Sequence, residues 1–443
     1  MASSDPQQKQ SWQDSLDGIS EKLSGSKKAW VVTLAVALAV AVGVTAWTRF
    51  NPKQPAAQAK PADFSAVRSS QEQGVSDDEI LLGMSAAFTG PSQELGKGMR
   101  AGIEACFEDV NAKGGIHGRK IRLIDLDDGY EPDRCLKAMQ ELVEVRKVFA
   151  TIGNVGTPPA TVSIPYTNEK KRIFFGAYTG AGILRKTPPD RYVFNFRASY
   201  EEETAAQVDF LVNVKKVRPD QIAVFAQADA YGDSGYNGAA KRIHALGGDG
   251  IKVLRVGYER NTDRVEAAVA EILQNRDKVK AIIMVPAYKP AAKFIKLLRD
   301  QKFDGTFCSV SFVNSGALAR EFNDIGLEYA DGVIVTQVVP FYGSIDDSIN
   351  DYKECMNAYH RDQPLDFISL EGFVAARVFV AALEKNGPNL TTDSLITTIE
   401  SIRGLRLGIG IEVSFSPADH QGSHQVWGTM LDASGEYRLI SLR

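Results

Sequence analysis

The chain has few cysteines and little net charge, and each shortage excludes a class of protein. Four cysteines among 443 residues are too few for a disulfide scaffold. Lys and Arg number 51 against 55 Asp and Glu, which leaves a net charge of −4. Because the chain has no excess of positive charge, its composition gives no reason to predict nucleic acid as a partner. No cysteine precedes Cys106, which excludes a lipid-linked N-terminal cysteine.

The sequence also lacks a nucleophile and a base that could converge into a catalytic site. Gly232–Gly235 resembles a serine-protease string, but it opens a predicted helix and has no positioned His–Asp partner. Gly96–Ala101 matches a dinucleotide-binding pattern by its letters only, because it lies inside a helix rather than in a strand-to-helix turn. We therefore predict that the protein is not an enzyme and binds no cofactor.

Two clusters of metal-ligand residue types have simpler interpretations. Asp125, Asp127 and Asp128 fail the spacing of a calcium loop, and we interpret them as a strand end that pairs with nearby backbone N–H groups. His420 and His424 have metal-like spacing, but the Gly and Pro residues around them favour a turn over a zinc site. We predict no metal ion.

A long hydrophobic run is present at Trp30–Trp47, where 18 consecutive residues carry no charge. At about 1.5 Å per residue, a helix of this length spans roughly 27 Å, close to a bilayer core, and a Trp at each end fits the aromatic belt. A buried core helix and a cleaved signal peptide are the alternatives. The acids before the run and the late small-residue motif at Ala57–Ala59 favour an uncleaved anchor. The flanking basic residues are nearly balanced, so they set no orientation.

Composition divides the N-terminal part of the chain around this run. We predict a polar tail over residues 1–28, a transmembrane anchor over 29–48 and a flexible linker over 49–76, which is rich in Pro, Ala, Gln and Ser. The folded part is predicted to begin near Ser76. No short repeat period is visible in it, which excludes a solenoid.

Beyond Ser76, strand and helix patterns alternate. In Ile80–Gly129 an apolar run, a helix and a second apolar run follow one another across two turns, which predicts a parallel sheet. Strands are predicted at Ile80–Ser85, Lys120–Asp125, Phe149–Ile152, Arg172–Gly176, Gln221–Gln227, Ile251–Val256, Ala281–Val285, Thr306–Val310, Gly332–Val338, Gln425–Leu431 and Tyr437–Leu442. Helices are predicted at Gly96–Asn111, Pro132–Glu144, Pro158–Glu169, Ser234–Leu246, Thr262–Gln274, Pro290–Gln301, Gly316–Phe322 and Ser369–Asn386. Two such sets predict two doubly wound α/β lobes.

The cysteines can be judged against this arrangement. Cys106 and Cys135 fall on consecutive helices that would cover opposite faces of the first sheet, so we expect no bridge between them. The sequence leaves the state of Cys308 and Cys355 open.

Five strings carry a resemblance to a known family, in its order and spacing, from about residue 78 to the end. They are FTGPSQELGKGMRAGIEACFEDVNAKGGIHGRKIRLIDLDDGYEP, IGNVGTPPA, VFAQADAYGDSG, SLEGFVAA and FSPADHQG. With them the chain resembles the branched-chain amino-acid and amide binding proteins of ATP-driven importers, which have the type I periplasmic binding fold. The resemblance implies two α/β lobes joined by three hinge crossings, with ligand bound between them. Lobe 1 would comprise residues 78–198 plus 340–410, and lobe 2 residues 199–339 plus 411–443.

The resemblance also implies the first ligand contacts. Thr157 precedes two prolines and is predicted to be the N-cap of a helix. A capping role alone is the simpler interpretation. The functional one is that its hydroxyl and the free N–H groups of the helix hold a ligand oxyanion, as a hydroxyl does in the family. Thr179, on the loop after the next strand, would align with a backbone-carbonyl group that contacts ligand.

At two positions the chain departs from the amino-acid-binding members. Gly180 aligns where they carry a hydroxyl, and Ser311 where they carry the acid that pairs with the ligand ammonium. Burying a cation without its counter-charge costs several kcal/mol, of the order of 5. The sequence therefore argues against a free α-amino acid, unless Glu94 or Asp229 supplies the acid. A small carboxylate, an amide or an aromatic acid is the better prediction.

Aromatic residues are predicted to line the same cleft. Tyr231 and Phe367 occupy aromatic positions of the family, and an aromatic wall buries much ligand surface. Ordinary core packing is the alternative for both. Tyr288 and Phe341-Tyr342 are weaker candidates.

These features predict a solute-binding protein that hands a small polar or anionic solute to the membrane permease of an ABC importer. The anchor at Trp30–Trp47 would hold it in the bacterial inner membrane with a single pass, and the resemblance places the binding domain in the periplasm. A membrane-anchored receptor that signals through a sensor kinase is the alternative. The anchor favours the receptor, whereas the tail of about 28 residues, with no output domain, argues against it.

Overall fold

The computed structural model describes residues 72–408, 410 and 412–443. The predicted tail, the anchor at Trp30–Trp47 and most of the linker lie outside the described residues. Within the described part, no helix is both long and apolar enough to cross a membrane.

The described chain alternates between strands and helices, as its patterns predict. The strands are β1 (Glu79–Ala86), β2 (Lys120–Asp127), β3 (Ala150–Ile152), β4 (Ile173–Phe175), β5 (Val193–Phe194), β6 (Ile222–Gln227), β7 (Arg255–Tyr258), β8 (Ala281–Val285), β9 (Thr306–Ser309), β10 (Ile334–Gln337), β11 (Leu405–Arg406), β12 (Glu412–Val413), β13 (Trp427–Leu431) and β14 (Tyr437–Ile440). The helices are α1 (Gln93–Ala112), α2 (Pro132–Gln140), α3 (Thr157–Lys170), α4 (Tyr200–Asp209), α5 (Ala230–Gly247), α6 (Glu266–Gln274), α7 (Tyr288–Asp300), α8 (Ser315–Ile325), α9 (Asp347–Tyr359), α10 (Phe367–Asn386) and α11 (Thr392–Glu400).

Five parallel strands form the first sheet, in the order β2-β1-β3-β4-β5. Leu82 of β1 pairs with Leu123 of β2 and with Ala150 of β3, so β1 is an interior strand. Leu82 and Met84 are fully buried, as in a parallel sheet with both faces covered by helices. The strand order reverses between β1 and β3, and open α/β sheets bind ligands at the carboxyl ends of strands beside such a reversal.

Seven strands form the second sheet, in the order β14-β13-β10-β9-β8-β6-β7. The strands from β6 to β10 are parallel, and the C-terminal β13 and β14 add an antiparallel edge. Here the order reverses between β6 and β8. We call the part built on β1–β5 the first lobe and the part built on β6–β10 the second lobe. The predicted α/β class with two parallel-sheet lobes is confirmed.

The chain passes between the two lobes three times, after β5, after β10 and before β13. After the second passage, α9 and α10 pack against α1 of the first lobe. Before the third, Phe415 packs against Phe194 of β5 with ring centroids 6.1 Å apart. The residue boundaries of the lobes given above stay a prediction.

Two element boundaries in the second lobe were predicted wrongly. The strand expected at Ile251–Val256 is shifted toward the C-terminus, to β7, and the helix expected from Thr262 begins only at Glu266. Asn261 has a left-handed φ of 58°, and the Thr262 N–H bonds the carbonyl of Glu259. Asn tolerates this conformation in a turn, so the turn takes up residues that the pattern assigns to the helix.

The cysteines are structural rather than reactive. All four are free and buried, which confirms the expectation that Cys106 and Cys135 form no bridge. Burial raises the pKa of the Cys135 thiol to about 12 and also raises that of Cys106. Both thiols stay protonated, so they are poor nucleophiles.

Glycines allow α1 and α10 to cross in direct backbone contact. A Cβ on Gly102 would lie 1.8 Å from the carbonyl oxygen of Ser369, and one on Gly372 would lie 2.3 Å from that of Met99. Neither oxygen can move without displacing its helix. This crossing carries α10, and with it Glu371, to the lobe interface.

We expect Gly102→Ala to lower the free energy of unfolding by roughly 1–3 kcal/mol, because the added methyl forces the two helices apart. The measurement is urea unfolding followed by circular dichroism. Gly250→Ala is the matched control, since a Cβ at Gly250 meets no atom within 4 Å. If Gly102→Ala leaves the free energy of unfolding unchanged, the two helices can move apart without loss of stability.

Candidate ligand site between the lobes

Loops at the carboxyl ends of strands in the two lobes contact one another. Tyr178, after β4, donates its hydroxyl proton to the carbonyl oxygen of Ser311, after β9, at 3.0 Å. Gln227, at the end of β6, donates to the hydroxyl of Tyr130, after β2, at 3.4 Å. All four residues are buried. The two strand-order reversals therefore face each other across one cleft, where such sheets bind ligands.

Two predicted ligand residues of the first lobe form a hydrogen-bonded pair. The hydroxyls of Thr157 and Thr179 lie 2.7 Å apart, and both side chains are fully buried. The prediction that Thr157 is the N-cap is wrong, because α3 begins at Thr157 and Gly156 takes the capping position with a φ of 101°. A Cβ on Gly156 would lie 2.2 Å from the Tyr130 ring. The Thr157 hydroxyl caps nothing and pairs with Thr179 instead.

Gly180 packs on Tyr200 where a side chain would otherwise project. Its carbonyl oxygen accepts a hydrogen bond from the Tyr200 N–H at 2.8 Å, and a Cβ on Gly180 would lie 2.7 Å from the Tyr200 ring. The buried Tyr200 hydroxyl lies within hydrogen-bonding reach of the Thr179 side chain. Burial raises the pKa of Tyr200 to about 12. The hydroxyl therefore stays protonated and can donate to a ligand.

Ser311 belongs to a buried group of charges that sequence reasoning missed. Arg197, on the passage after β5, is 1% exposed and lies 2.9 Å from Glu203 and 3.3 Å from Glu371. It also donates to the Ser311 hydroxyl. Glu203 accepts hydrogen bonds from the Ser311 hydroxyl and N–H, at 2.9 and 2.8 Å. We call Arg197, Glu203, Ser311 and Glu371 the Arg197 cluster.

The protonation of this cluster is set by burial and by its own charges. Burial disfavours the charged form of Arg197, but the charges of Glu371 and Glu203 raise its pKa above the ordinary value. Burial raises the pKa of Glu371 to about 7, against the opposing charge of Arg197. Arg197 therefore remains a cation, while Glu371 changes protonation near neutral pH.

This predicts a pH dependence of stability that belongs to Glu371. A carboxyl whose pKa is raised from 4.5 to about 7 by folding contributes stability at low pH that is lost as the pH rises through 7. We expect the free energy of unfolding of the native protein to fall, relative to Glu371→Gln, by up to about 3 kcal/mol across this range. Urea unfolding at several pH values measures the difference. The control is the exposed Glu271→Gln, whose free energy of unfolding should change with pH as that of the native protein does. If Glu371→Gln also shows the native pH dependence, the dependence does not belong to Glu371.

The acids proposed as substitutes for an ammonium partner are already engaged. Glu94 pairs with Arg320 at 3.1 Å. Asp229 caps α5 through the Tyr231 N–H at 3.0 Å and lies 3.2 Å from Arg260. Neither carboxylate is available to replace the acid that is absent at Ser311.

An aromatic cluster spans the cleft around a residue that the sequence analysis did not name. Phe312, in the second lobe, lies 4.6–6.3 Å between centroids from Tyr130, Tyr178, Tyr200 and Tyr231. All five rings are buried, and the Tyr231 hydroxyl donates to the carbonyl of Pro286 at 3.2 Å. Phe312 follows the predicted Ser311 directly, and this adjacency is the signal that could have identified it.

Two predicted aromatic contacts lie apart from this cluster. Phe367, at the start of α10, packs on Tyr342, Phe341 and Tyr437. Tyr288 joins the lobes at the cleft rim, where its hydroxyl donates to the carbonyl of Pro91 at 2.6 Å. The structure thus brings together Thr157, Thr179, Gly180, Tyr231 and Ser311, but not Phe367 or Tyr288. Contact of any of them with a ligand stays a prediction.

A second set of rim contacts joins the lobes beside α2. Arg260 of the second lobe lies 2.7 Å from Glu131 of the first. Asn261 donates to the Glu131 carboxylate at 2.6 Å and to the carbonyl of Gly129 at 3.1 Å. These polar contacts at the rim form only while the lobes are together.

The clusters considered as metal sites have protein partners. Asp127 accepts hydrogen bonds from the N–H groups of Phe88, Thr89 and Gly129, which confirms its interpretation as a strand end. His424 pairs with Glu202 at 2.6 Å. Within the described residues, no group of three or more His, Cys, Asp or Glu side chains is placed to hold a metal ion.

Comparison with known proteins agrees with this architecture. The family described as periplasmic binding protein matches residues 79–436. A solved structure of a possible leucine/isoleucine/valine-binding protein from Rhodopirellula baltica superimposes with a TM-score of 0.78 at 37% identity, covering 84% of this chain and 98% of that one.

Two curated relatives are also named as amino-acid-binding proteins. A Leu/Ile/Val-binding protein of Rhizobium johnstonii is 24% identical over 347 residues, 75% of this chain and 86% of that protein. An amino acid binding protein of Pseudomonas aeruginosa is 25% identical over 269 residues, 58% of this chain and 67% of that protein. The chain belongs to the periplasmic binding protein family, and it is a type I solute-binding protein.

Proposed function

We propose that this protein captures a small carboxylate- or amide-bearing solute between its lobes outside the cytoplasmic membrane and delivers it to the permease of an ABC importer. The observation that carries the proposal is the buried hydroxyl pair of Thr157 and Thr179, which lies beside Tyr200 at the start of α4. The protonated Tyr200 hydroxyl, which lies beside Thr179, adds a third hydroxyl to the site. Hydroxyl donors of this kind suit a carboxylate or an amide oxygen.

The cleft chemistry supports an anionic or neutral solute rather than a free amino acid. The ammonium of an amino acid needs an acid partner when it is buried. Glu203, the nearest acid to Ser311, already holds Arg197, and Glu94 and Asp229 have partners of their own. The relatives compared above are named as amino-acid or Leu/Ile/Val-binding proteins, so amino acids belong in the test as the competing class.

Capture would work by closure of the two lobes. A solute that touches both lobes stabilises the arrangement in which Tyr178 reaches Ser311, and it thereby shifts the balance from open to closed. The closed form would be the one that the permease recognises. The anchor predicted at Trp30–Trp47 would keep the protein at the periplasmic face of the bacterial inner membrane. It is also the feature that favours a signalling receptor, and co-purification with a permease or with a sensor kinase separates the two roles.

Thermal unfolding of the full chain against amino acids, amides and small aromatic or aliphatic carboxylates tests the proposal. A solute at about 100 times its dissociation constant stabilises the fold by roughly 2.7 kcal/mol. We expect the shift with carboxylates or amides, and its loss in Thr157→Ala. The exposed Thr397→Ala on α11 is the control. A shift with branched-chain amino acids alone would overturn the solute class, and an undiminished shift in Thr157→Ala would overturn the site.

A further inference from the structure

A cavity of about 620 Å³ lies between the lobes beside Gly180 and Tyr200. The first lobe contributes Arg185 to its wall, the second lobe contributes Ser234 and Asn237, and the last passage between the lobes contributes His424. This volume is within the range of small-molecule sites, about 300–1,000 Å³. None of these four residues belongs to the cleft site described above, whereas Gly180 and Tyr200 of that site line the cavity as well.

The charges in the cavity wall are paired, with one exception. Lys241 pairs with Glu201, and His424 pairs with Glu202 at 2.6 Å. Arg185 forms an ion pair with none of the carboxylates among the described residues. The charged group of the cavity wall that has no direct ion pair among the described residues is therefore the Arg185 guanidinium, on which the charges of Glu202 and Glu203 act at longer range.

Arg185 is held in place by uncharged groups alone. Its Nε donates to the side-chain oxygen of Gln421 at 2.7 Å, and its two Nη atoms donate to the carbonyls of Ala181 and Arg197, both at 2.9 Å. Burial and the charge of Arg197 lower the pKa of Arg185 to about 10, so it remains a cation at neutral pH. A partly buried cation without a carboxylate partner favours an anion beside it.

One face of α5 supplies further hydrogen-bonding groups. Ser234, Asn237, Gly238 and Lys241 all line the cavity, and their spacing places them on one side of a helix. The side chains of Ser234 and Asn237 form no hydrogen bond with other described residues. A Cβ on Gly238 would lie 2.6 Å from the Thr204 hydroxyl, so glycine lets α5 approach α4 and close the wall.

We propose that this cavity is a second binding site, for a carboxylate-bearing solute that is held by Arg185 and by the donors of Ser234 and Asn237. Its walls come from both lobes. A bound carboxylate would therefore favour the closed arrangement and strengthen binding in the cleft. This coupling rests on the closure in the proposed function, whereas binding in the cavity does not.

Isothermal titration of the full chain with acetate, succinate and glutarate tests the site. The double variant Ser234→Ala/Asn237→Ala leaves the bonds of Arg185 intact, and we expect it to bind the carboxylate at least tenfold more weakly, because the loss of even one of the two hydrogen bonds to a charged group would produce about that change. Arg185→Gln should weaken binding at least as much. Arg218→Gln, which removes an exposed arginine paired with Asp220, is the matched control and should bind as the native chain does.

Thr157→Ala separates this site from the cleft. Carboxylate binding that survives Thr157→Ala and is lost in the double variant supports the cavity, whether or not the cleft binds a solute. Binding that is lost in Thr157→Ala and kept in the double variant overturns the cavity and supports the cleft. The inference is also overturned if none of the three carboxylates binds more tightly than about 10 mM.

Discussion

Arg197→Met is expected to lower the free energy of unfolding by about 3–5 kcal/mol, because it leaves a buried carboxylate without a counter-charge. Arg197 lies within 3.3 Å of both Glu203 and Glu371, with almost no exposure to solvent. Part of the loss is relieved by Glu371, which can take up a proton near neutral pH. Glu203 keeps only its hydrogen bonds from Ser311 and Thr336 once the guanidinium is removed.

Urea unfolding at neutral pH measures this effect against a matched variant. Arg191→Met removes an arginine that pairs with Asp393 at 2.9 Å, but both side chains are more than half exposed. Exposed pairs contribute at most about 1 kcal/mol, so we expect little change there. If both arginine variants lower the free energy of unfolding equally, the buried ion pairs of the Arg197 cluster contribute no more to stability than an exposed pair does.

Phe312→Ala is expected to have an effect of similar size, about 3–5 kcal/mol, since it removes a fully buried ring from a packed cluster. Tyr130 and Tyr178 belong to the first lobe, and Phe312 belongs to the second. Part of the loss therefore falls on the contact between lobes, and the variant should need more solute to close.

The matched control for Phe312→Ala is Tyr359→Ala, at a side chain that is 40% exposed on α9. We expect the control to change stability by less than about 1 kcal/mol. If Phe312→Ala is as stable as the control, the Phe312 ring does not stabilise the aromatic cluster.

The sequence predicts the cleft residues that follow strand ends, and it does so for a local reason. Thr157 and Thr179 lie on the loops that follow recognisable apolar strands, and parallel strands bring their carboxyl ends to one edge, whereas Tyr231 was predicted from its aromatic position in the family. Phe367 was placed in the cleft by its family position and Tyr288 only as a weaker aromatic candidate, and the structure puts both in other contacts.

The Arg197 cluster could not be predicted, because its members meet only in three dimensions. Arg197 and Glu371 are 174 positions apart, and a charged residue in a sequence gives no sign of its burial. The capping role of Thr157 failed for a related reason. It depended on the backbone of Gly156, which has a positive φ and packs so closely on the Tyr130 ring of another loop that a Cβ would not fit.

The most direct test of the account is the distance between the lobes with and without solute. Fluorophores can be attached through Asp133→Cys on α2 and Arg264→Cys, which are exposed positions on opposite sides of the rim contact between Glu131 and Arg260. The four native cysteines are buried, so labelling should favour the new sites. We expect a carboxylate or amide that stabilises the protein to shorten this distance, and to fail to do so in Thr157→Ala. A solute that binds and leaves the distance unchanged would contradict capture between the lobes.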